Sequence, residues 1–196
     1  MASTFVVHLI GYPGVGKYTV ARALIDSAEQ GEYDRFVLVD NHLTNNVVFS
    51  VLDVDGVHEL PARVWDHIGD IRDVLYRSIE ELSPPDWSFV FTNVLVQDEP
   101  RDQPVVDRLR LLASERGSRY VPIQVNCAEH EHLLRVPNAD RAARHKWIDP
   151  NAVQAFLGRK RLLRASRDQL DIDVTDLTPV EAADMILRQL DVRHHQ

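Results

Sequence analysis

The chain has 196 residues, 44% of them hydrophobic and 27% charged, which fits one soluble globular domain with a sizeable core. A net charge of −8 argues against general binding to DNA or RNA, so no nucleic-acid partner is expected. The single cysteine, Cys127, excludes an internal disulfide framework and fits a reducing, cytoplasmic setting. No apolar run is long enough to span a bilayer, and no secretory leader or lipidation motif is read, so no membrane partner is expected.

Taken in chain order, the pattern alternates strand and helix. The apolar run Phe5–Ile10 reads as a strand, and a helix follows from Lys17 to about Ala28. Arg35–Asp40 is a second strand, apolar until it ends on an acid. Residues 41–60 read as irregular. A long helix from Pro61 to Leu82 places Val64, Ile68, Ile71, Leu75, Ile79 and Leu82 on one buried face, and Ser83-Pro-Pro-Asp86 stops it. Trp87–Leu95 is a third strand. Pro104–Arg116 is a helix closed by Gly117 as its C-terminal cap. Tyr120–Asn126 is a fourth strand, Glu129–Arg135 a short helix, and 137–150 a mobile polar loop. Asn151–Arg167 reads as a helix and Leu170–Val174 as a fifth strand. The last helix starts on a capping box, with Thr178 as N-cap, Pro179 at the first position and Glu181 at the third. Such alternation predicts a mostly parallel sheet covered on both faces, with ligands bound beyond the carboxyl ends of its strands.

One segment carries specific chemistry. Gly11-Tyr-Pro-Gly-Val-Gly-Lys17 joins the first strand to the first helix, the order a phosphate-binding P-loop requires. Glycine lets backbone N–H groups converge on phosphate oxygens, the helix N-terminus adds partial positive charge, and Lys17 supplies an ammonium group. Asp40 and Asn93, near the ends of the second and third strands, fall on the same edge of the sheet. Nine Lys and Arg residues lie between Arg135 and Arg167, opposed only by Asp140 and Asp149. That run reads either as contact with an anionic ligand or as a solvated basic helix face.

These residues resemble the P-loop kinase family of small-molecule and nucleoside-monophosphate kinases, such as shikimate, gluconate and adenylate kinases and chloramphenicol phosphotransferase. The resemblance rests on Gly11–Lys17, on Asp40, on Arg135–Lys146 as a candidate lid, and on Asp171-Ile-Asp-Val-Thr175. It implies a three-layer α/β/α P-loop NTPase fold with a five-stranded parallel sheet in the order 2-3-1-4-5. It also implies a single domain over 1–196, with an acceptor-binding segment at 41–82 and a lid at 135–150. The implied activity is transfer of the ATP γ-phosphoryl group to a small-molecule acceptor, with ATP and Mg²⁺ as cofactors.

Roles follow by position. Gly11, Pro13, Gly14, Val15, Gly16, Lys17, Tyr18 and Thr19 would cradle the phosphates, and Asp173 and Thr175 would stand on the adenine side. Lys17, Asp40, Arg141 and Arg144 are the implied catalytic residues. Asp40 serves either as general base or as a magnesium ligand through water; otherwise it is a turn residue or helix cap. Asn41, His42, Arg63, Asn93 and Arg135 are expected on the acceptor. Two departures fall on the metal. Tyr18 stands where Ser or Thr would ligate Mg²⁺, leaving Thr19 as a poor substitute, and Asn93 stands where relatives often place an aspartate. The alternative reading is therefore a nucleotide-binding regulatory module with little phosphotransfer. A kinase acting on a macromolecule fits the acidic chain less well, and no Asn-Lys-x-Asp guanine motif is present.

Overall fold

The computed structural model describes residues 4–31, 33, 35–52, 54, 60–138, 141 and 146–192. The strands are β1 (Phe5–Ile10), β2 (Phe36–Asp40), β3 (Ser88–Asn93), β4 (Arg119–Asn126) and β5 (Leu170–Asp173). The helices are α1 (Lys17–Glu29), α2 (His42–Leu52), α3 (Ala62–Leu82), α4 (Asp102–Glu115), α5 (Glu129–Arg135), α6 (Pro150–Arg159) and α7 (Pro179–Val192). All strand pairs are parallel, in the order β2-β3-β1-β4-β5. This is the order the family resemblance implies.

Side-chain alternation along β1 divides the core between two faces. Phe5, Val7 and Leu9 pack with Val20, Ala21 and Leu24 of α1 and Ala183, Ile186 and Leu190 of α7. Val6 and Ile10 join Phe89 and Phe91 of β3 under Tyr76 and Ile79 of α3 and Val106, Leu109 and Leu112 of α4. Every residue of β1 is therefore buried, and the strand reads as an apolar run interrupted only by His8 rather than as an alternating one. Truncating a fully buried leucine such as Leu9 or Leu109 would cost about 2–5 kcal/mol.

The local signals at helix ends hold. Gly117 sits at φ 64°, and Ser118 N–H reaches back to Ala113 O at 2.8 Å, a left-handed cap. Glu181 accepts from Thr178 N–H at 2.8 Å while Thr178 Oγ1 accepts from Glu181 N–H at 3.3 Å, the reciprocal capping box.

Three expectations are corrected. Residues 42–52 form α2 rather than an irregular stretch. Asn and Thr propensity disfavours a helix there, but Phe49 packs on Val64 and Ile68 of α3, and tertiary burial decides. The helix expected over 151–167 ends at Arg159. Beyond it the chain is extended: Leu162 bridges antiparallel to Val96, and Leu163 N–H donates to Leu95 O at 2.9 Å. Burial of Leu162 and Ala165 against the α3–α4 layer holds this segment out of the helix. Leu82, expected on the buried face of its helix, is 79% exposed at the last turn.

Candidate functional site

The P-loop leaves β1 at Gly11, whose N–H donates to Asn93 O at 3.2 Å. A Cβ on Gly11 would lie 2.7 Å from Val125 O, so close packing requires glycine there. Gly14 and Gly16 take φ of 94° and 107°, a region costly for other residues. A Cβ on Gly16 would meet nothing within 4 Å, which leaves an open concavity above the N-terminus of α1. Lys17 Nζ folds back onto Gly11 O at 2.6 Å and Tyr12 O at 2.9 Å. Burial, reinforced by the positive charges of Lys146 and Arg141 and opposed by Asp40, pulls its pKa down to about 7.

Asp40 closes β2 opposite this loop. Its Oδ1 accepts from Thr92 Oγ1 at 2.6 Å and its Oδ2 from Lys146 Nζ at 2.9 Å. Burial by itself would raise the carboxyl, but Lys146 and Thr92 outweigh it and hold Asp40 below its ordinary value. The Lys146 ammonium also stands 4.9 Å from the centre of the Tyr18 ring. His42 begins α2 beside this group. Burial and the Lys146 charge lower its pKa to about 4, so it is a neutral hydrogen-bonding side chain near pH 7.

Asn93 closes β3 and is held from behind. Fully buried His8 bonds Asn93 Oδ1 through Nε2 at 2.9 Å and Tyr120 OH through Nδ1 at 2.8 Å. Because Asn93 presents its oxygen, Nε2 carries the proton and Nδ1 accepts from the phenol. Burial depresses the pKa of His8 to about 3, which keeps it neutral. Asn93 also lines the cleft.

The cleft has a volume of about 1320 Å³, above the roughly 300–1,000 Å³ usual for one small ligand. Its phosphate end is lined by Pro13, Gly14, Gly16, Lys17, Tyr18, Thr19 and Asp40, with Arg135, Arg141 and Lys146 around them. Its other end is lined by Asn41, His42 and Phe49, by Ala62, Trp65, Asp66, Gly69, Arg72, Asp73 and Tyr76 of α3, and by Glu99, Arg101, Asp102 and Arg108.

Most of the residues singled out in the sequence converge here, with exceptions. Gly11 and Val15 are buried beneath the loop. Arg63 is exposed and does not line the cleft, whereas Arg72, on another face of α3, does. Arg135 lies on the P-loop side, donating to Val15 O at 3.4 Å and to Val174 O and Thr175 O at 3.2 Å. Asp173 Oδ1 accepts from Thr175 N–H at 2.8 Å, and neither residue lines the cleft. Arg141 lines it and donates to Trp147 O at 2.7 Å. Arg144 lies outside the described residues, as does part of the expected lid.

Magnesium is the metal such a loop implies, and the donor set does not fit its direct coordination. Tyr18 offers a ring where a hydroxyl would ligate, Thr19 is exposed, and Asn93 gives its oxygen to His8. Asp40 Oδ2 is paired with the Lys146 ammonium at 2.9 Å, whose charge would repel a metal ion at that carboxylate. Among the described residues, no group of three or more His, Cys, Asp or Glu side chains could hold a metal ion.

No family model and no curated protein matches the chain. Among solved structures it is similar to a candidate kinase from Chloroflexus aurantiacus, at 15% identity over 98% of this chain and 99% of that one, with a TM-score of 0.64. It is similar to the tunicamycin resistance protein of Deinococcus radiodurans, at 18% identity over 96% of each chain and a TM-score of 0.57. A third likeness is to the APS kinase of Mycobacterium tuberculosis, solved with AMPPNP and APS, at 13% identity over 96% of this chain and 98% of that one, with a TM-score of 0.59. At these identities the likeness establishes the fold, and that fold is the one shared by P-loop kinases.

Proposed function

We propose that the protein is a kinase that transfers the terminal phosphoryl group of ATP to a hydroxyl of a small-molecule acceptor. One observation carries this reading: a single cleft joins a glycine-and-lysine phosphate cradle, a facing carboxylate and a second, chemically distinct chamber. The APS kinase neighbour, solved in complex with AMPPNP and APS, supports a reading in which two ligands bind together.

In this reading the P-loop N–H groups and Lys17 hold the β- and γ-phosphates. The acceptor oxygen attacks the γ-phosphorus, the bond to the β–γ bridging oxygen breaks, and ADP leaves. Asp40 accepts the hydrogen bond of the acceptor hydroxyl and aims its lone pair. Because Lys146 and Thr92 hold its carboxyl low, Asp40 takes up the proton late, once the forming P–O bond has acidified the hydroxyl. Arg141 and Lys146 face the charge that spreads over the moving group.

The acceptor chamber combines Phe49, Trp65 and Tyr76 with four acids, Asp66, Asp73, Glu99 and Asp102. Two of its three arginines are already neutralised: Arg101 pairs with Glu99 at 3.3 Å and Asp66 at 3.5 Å, and Arg108 with Glu80 at 2.7 Å. A wall of this kind favours an acceptor with an apolar body and hydroxyl or amine donors over a nucleoside monophosphate, whose own phosphate wants unpaired arginines.

The test is Asp40→Asn. Acceptor-dependent turnover should fall by about 10²–10⁴-fold while ATP still binds. Turnover that survives would remove Asp40 from the mechanism. The missing direct magnesium ligands favour a second reading, a nucleotide-binding regulatory module. That reading predicts ATP binding without acceptor-dependent ADP release for any hydroxyl compound.

A further inference from the structure

We propose that the Lys146 ammonium performs in this site the charge-neutralising task that a P-loop hydroxyl and its bound magnesium would otherwise share, with Tyr18 as its platform. The inference rests on the kinase reading and concerns how its nucleotide phosphates are held.

Position is the first argument. The Lys146 ammonium lies between the Tyr18 ring, 4.9 Å away, and Asp40 Oδ2, 2.9 Å away. These are the loop position that would carry the metal-binding hydroxyl and the acid that would face the metal. A positive charge therefore stands in the corner where a cation is wanted, supplied by the chain itself.

Burial is the second. The Lys146 and Asp40 side chains are each 12% exposed, so this is not a solvated surface pair. A lysine is desolvated at such a place only with partners, and it has two: a carboxylate and an aromatic face. Its charge is felt by Lys17 and His42, both pushed toward their neutral forms by it.

Chemistry is the third. A tyrosine ring cannot coordinate magnesium as a serine or threonine hydroxyl does, but its negative face attracts an ammonium. The two departures from the ordinary loop, Tyr18 and Asn93, then have one consequence. They exchange a metal-ligating corner for an ammonium-holding one. Asn93, its oxygen bonded to His8, lines the cleft as a neutral group where an acid would have repelled phosphate. When no phosphate is bound, Asp40 neutralises Lys146. When phosphate arrives, three donors on one flexible stem let the ammonium serve both the carboxylate and a phosphate oxygen.

The experiment titrates ATP into the full chain, in EDTA and in Mg²⁺, for wild type, Lys146→Met, Lys146→Arg and the double variant Tyr18→Thr with Lys146→Met. Wild-type affinity should change by less than about threefold on removing the metal, since the fixed ammonium already supplies a charge-assisted contact. Lys146→Met should lose about tenfold to a hundredfold in EDTA, the worth of one charged hydrogen bond. Lys146→Arg should retain most of the affinity. The double variant should bind well only with Mg²⁺, which also shows that it is folded. Wild-type binding that collapses in EDTA, or EDTA affinity unchanged by Lys146→Met, would overturn the inference and leave the kinase reading standing. Failure of the wild type to bind ATP in either buffer would overturn both.

Discussion

Lys17 provides the most quantitative prediction of this site. Its ammonium is held by two loop carbonyls, at 2.6 and 2.9 Å, and burial brings its pKa to about 7. A polyphosphate bound against it restores a strong preference for the charged form. Binding must then draw a proton from solvent: about 0.5 near pH 7, about 0.9 near pH 8 and about 0.1 near pH 6, for a group of pKa about 7 that becomes fully protonated. The sign follows from the direction of the shift. The phosphate-bound form has the higher pKa, so affinity is greatest below about pH 7 and falls by up to about tenfold per unit above it. The assay is calorimetric titration of ATP in buffers of different ionisation enthalpy, comparing wild type with Lys17→Arg. Arginine keeps the charge but cannot release its proton, so the difference between the two isolates Lys17 from the nucleotide's own titration. Equal proton uptake by the two proteins near pH 8 would refute the reasoning.

Further predictions concern the two ends of the cleft and the strand behind it. Gly69 faces the acceptor chamber and a Cβ there meets nothing within 4 Å, so Gly69→Ala should stabilise α3 by about 0.5–1 kcal/mol in a denaturant melt. Gly69→Leu should abolish acceptor-dependent turnover while ATP affinity stays at the wild-type value. His8→Phe should destabilise by about 1–3 kcal/mol for each polar group it orphans, Asn93 Oδ1 and the Tyr120 hydroxyl, measured by chemical unfolding. Gly14→Ala should weaken ATP binding and lower the melting temperature, because φ of 94° is unfavourable for alanine and its Cβ would lie 2.8 Å from Val136 Cγ2.

The parts of this fold legible in sequence are those with a local cause. The P-loop announces itself because glycine at two positive-φ positions and a following lysine are steric and electrostatic requirements of one short segment. Gly117 and the Thr178–Glu181 box are equally local, and all three appear as expected. What the sequence conceals is decided at long range. Lys146 meets Asp40 across 106 positions, and no periodicity links them. His8 reads as one polar residue in an apolar strand until β3 and β4, on either side, bring Asn93 and Tyr120 to it. Helix α2 is hidden by the poor propensity of Thr44, Asn45 and Asn46 and exists because Phe49 is buried on α3. The cleft-lining face of α3 has a sequence period that Arg63 does not share. Ala62, Trp65, Gly69, Arg72 and Tyr76 recur at three- and four-residue steps, a second stripe beside the apolar one, and Arg63 falls off it.

In the proposed reaction the cleft carries a phosphoryl group from nucleotide to acceptor. The most direct test follows γ-labelled ATP incubated with the protein and a panel of hydroxyl-bearing small molecules, with Asp40→Asn alongside. Label is expected on one class of acceptor, in step with ADP formed, and lost in Asp40→Asn. ATP bound tightly but never transferred to any acceptor, or label released only as free phosphate at the same rate with and without acceptor, would contradict it.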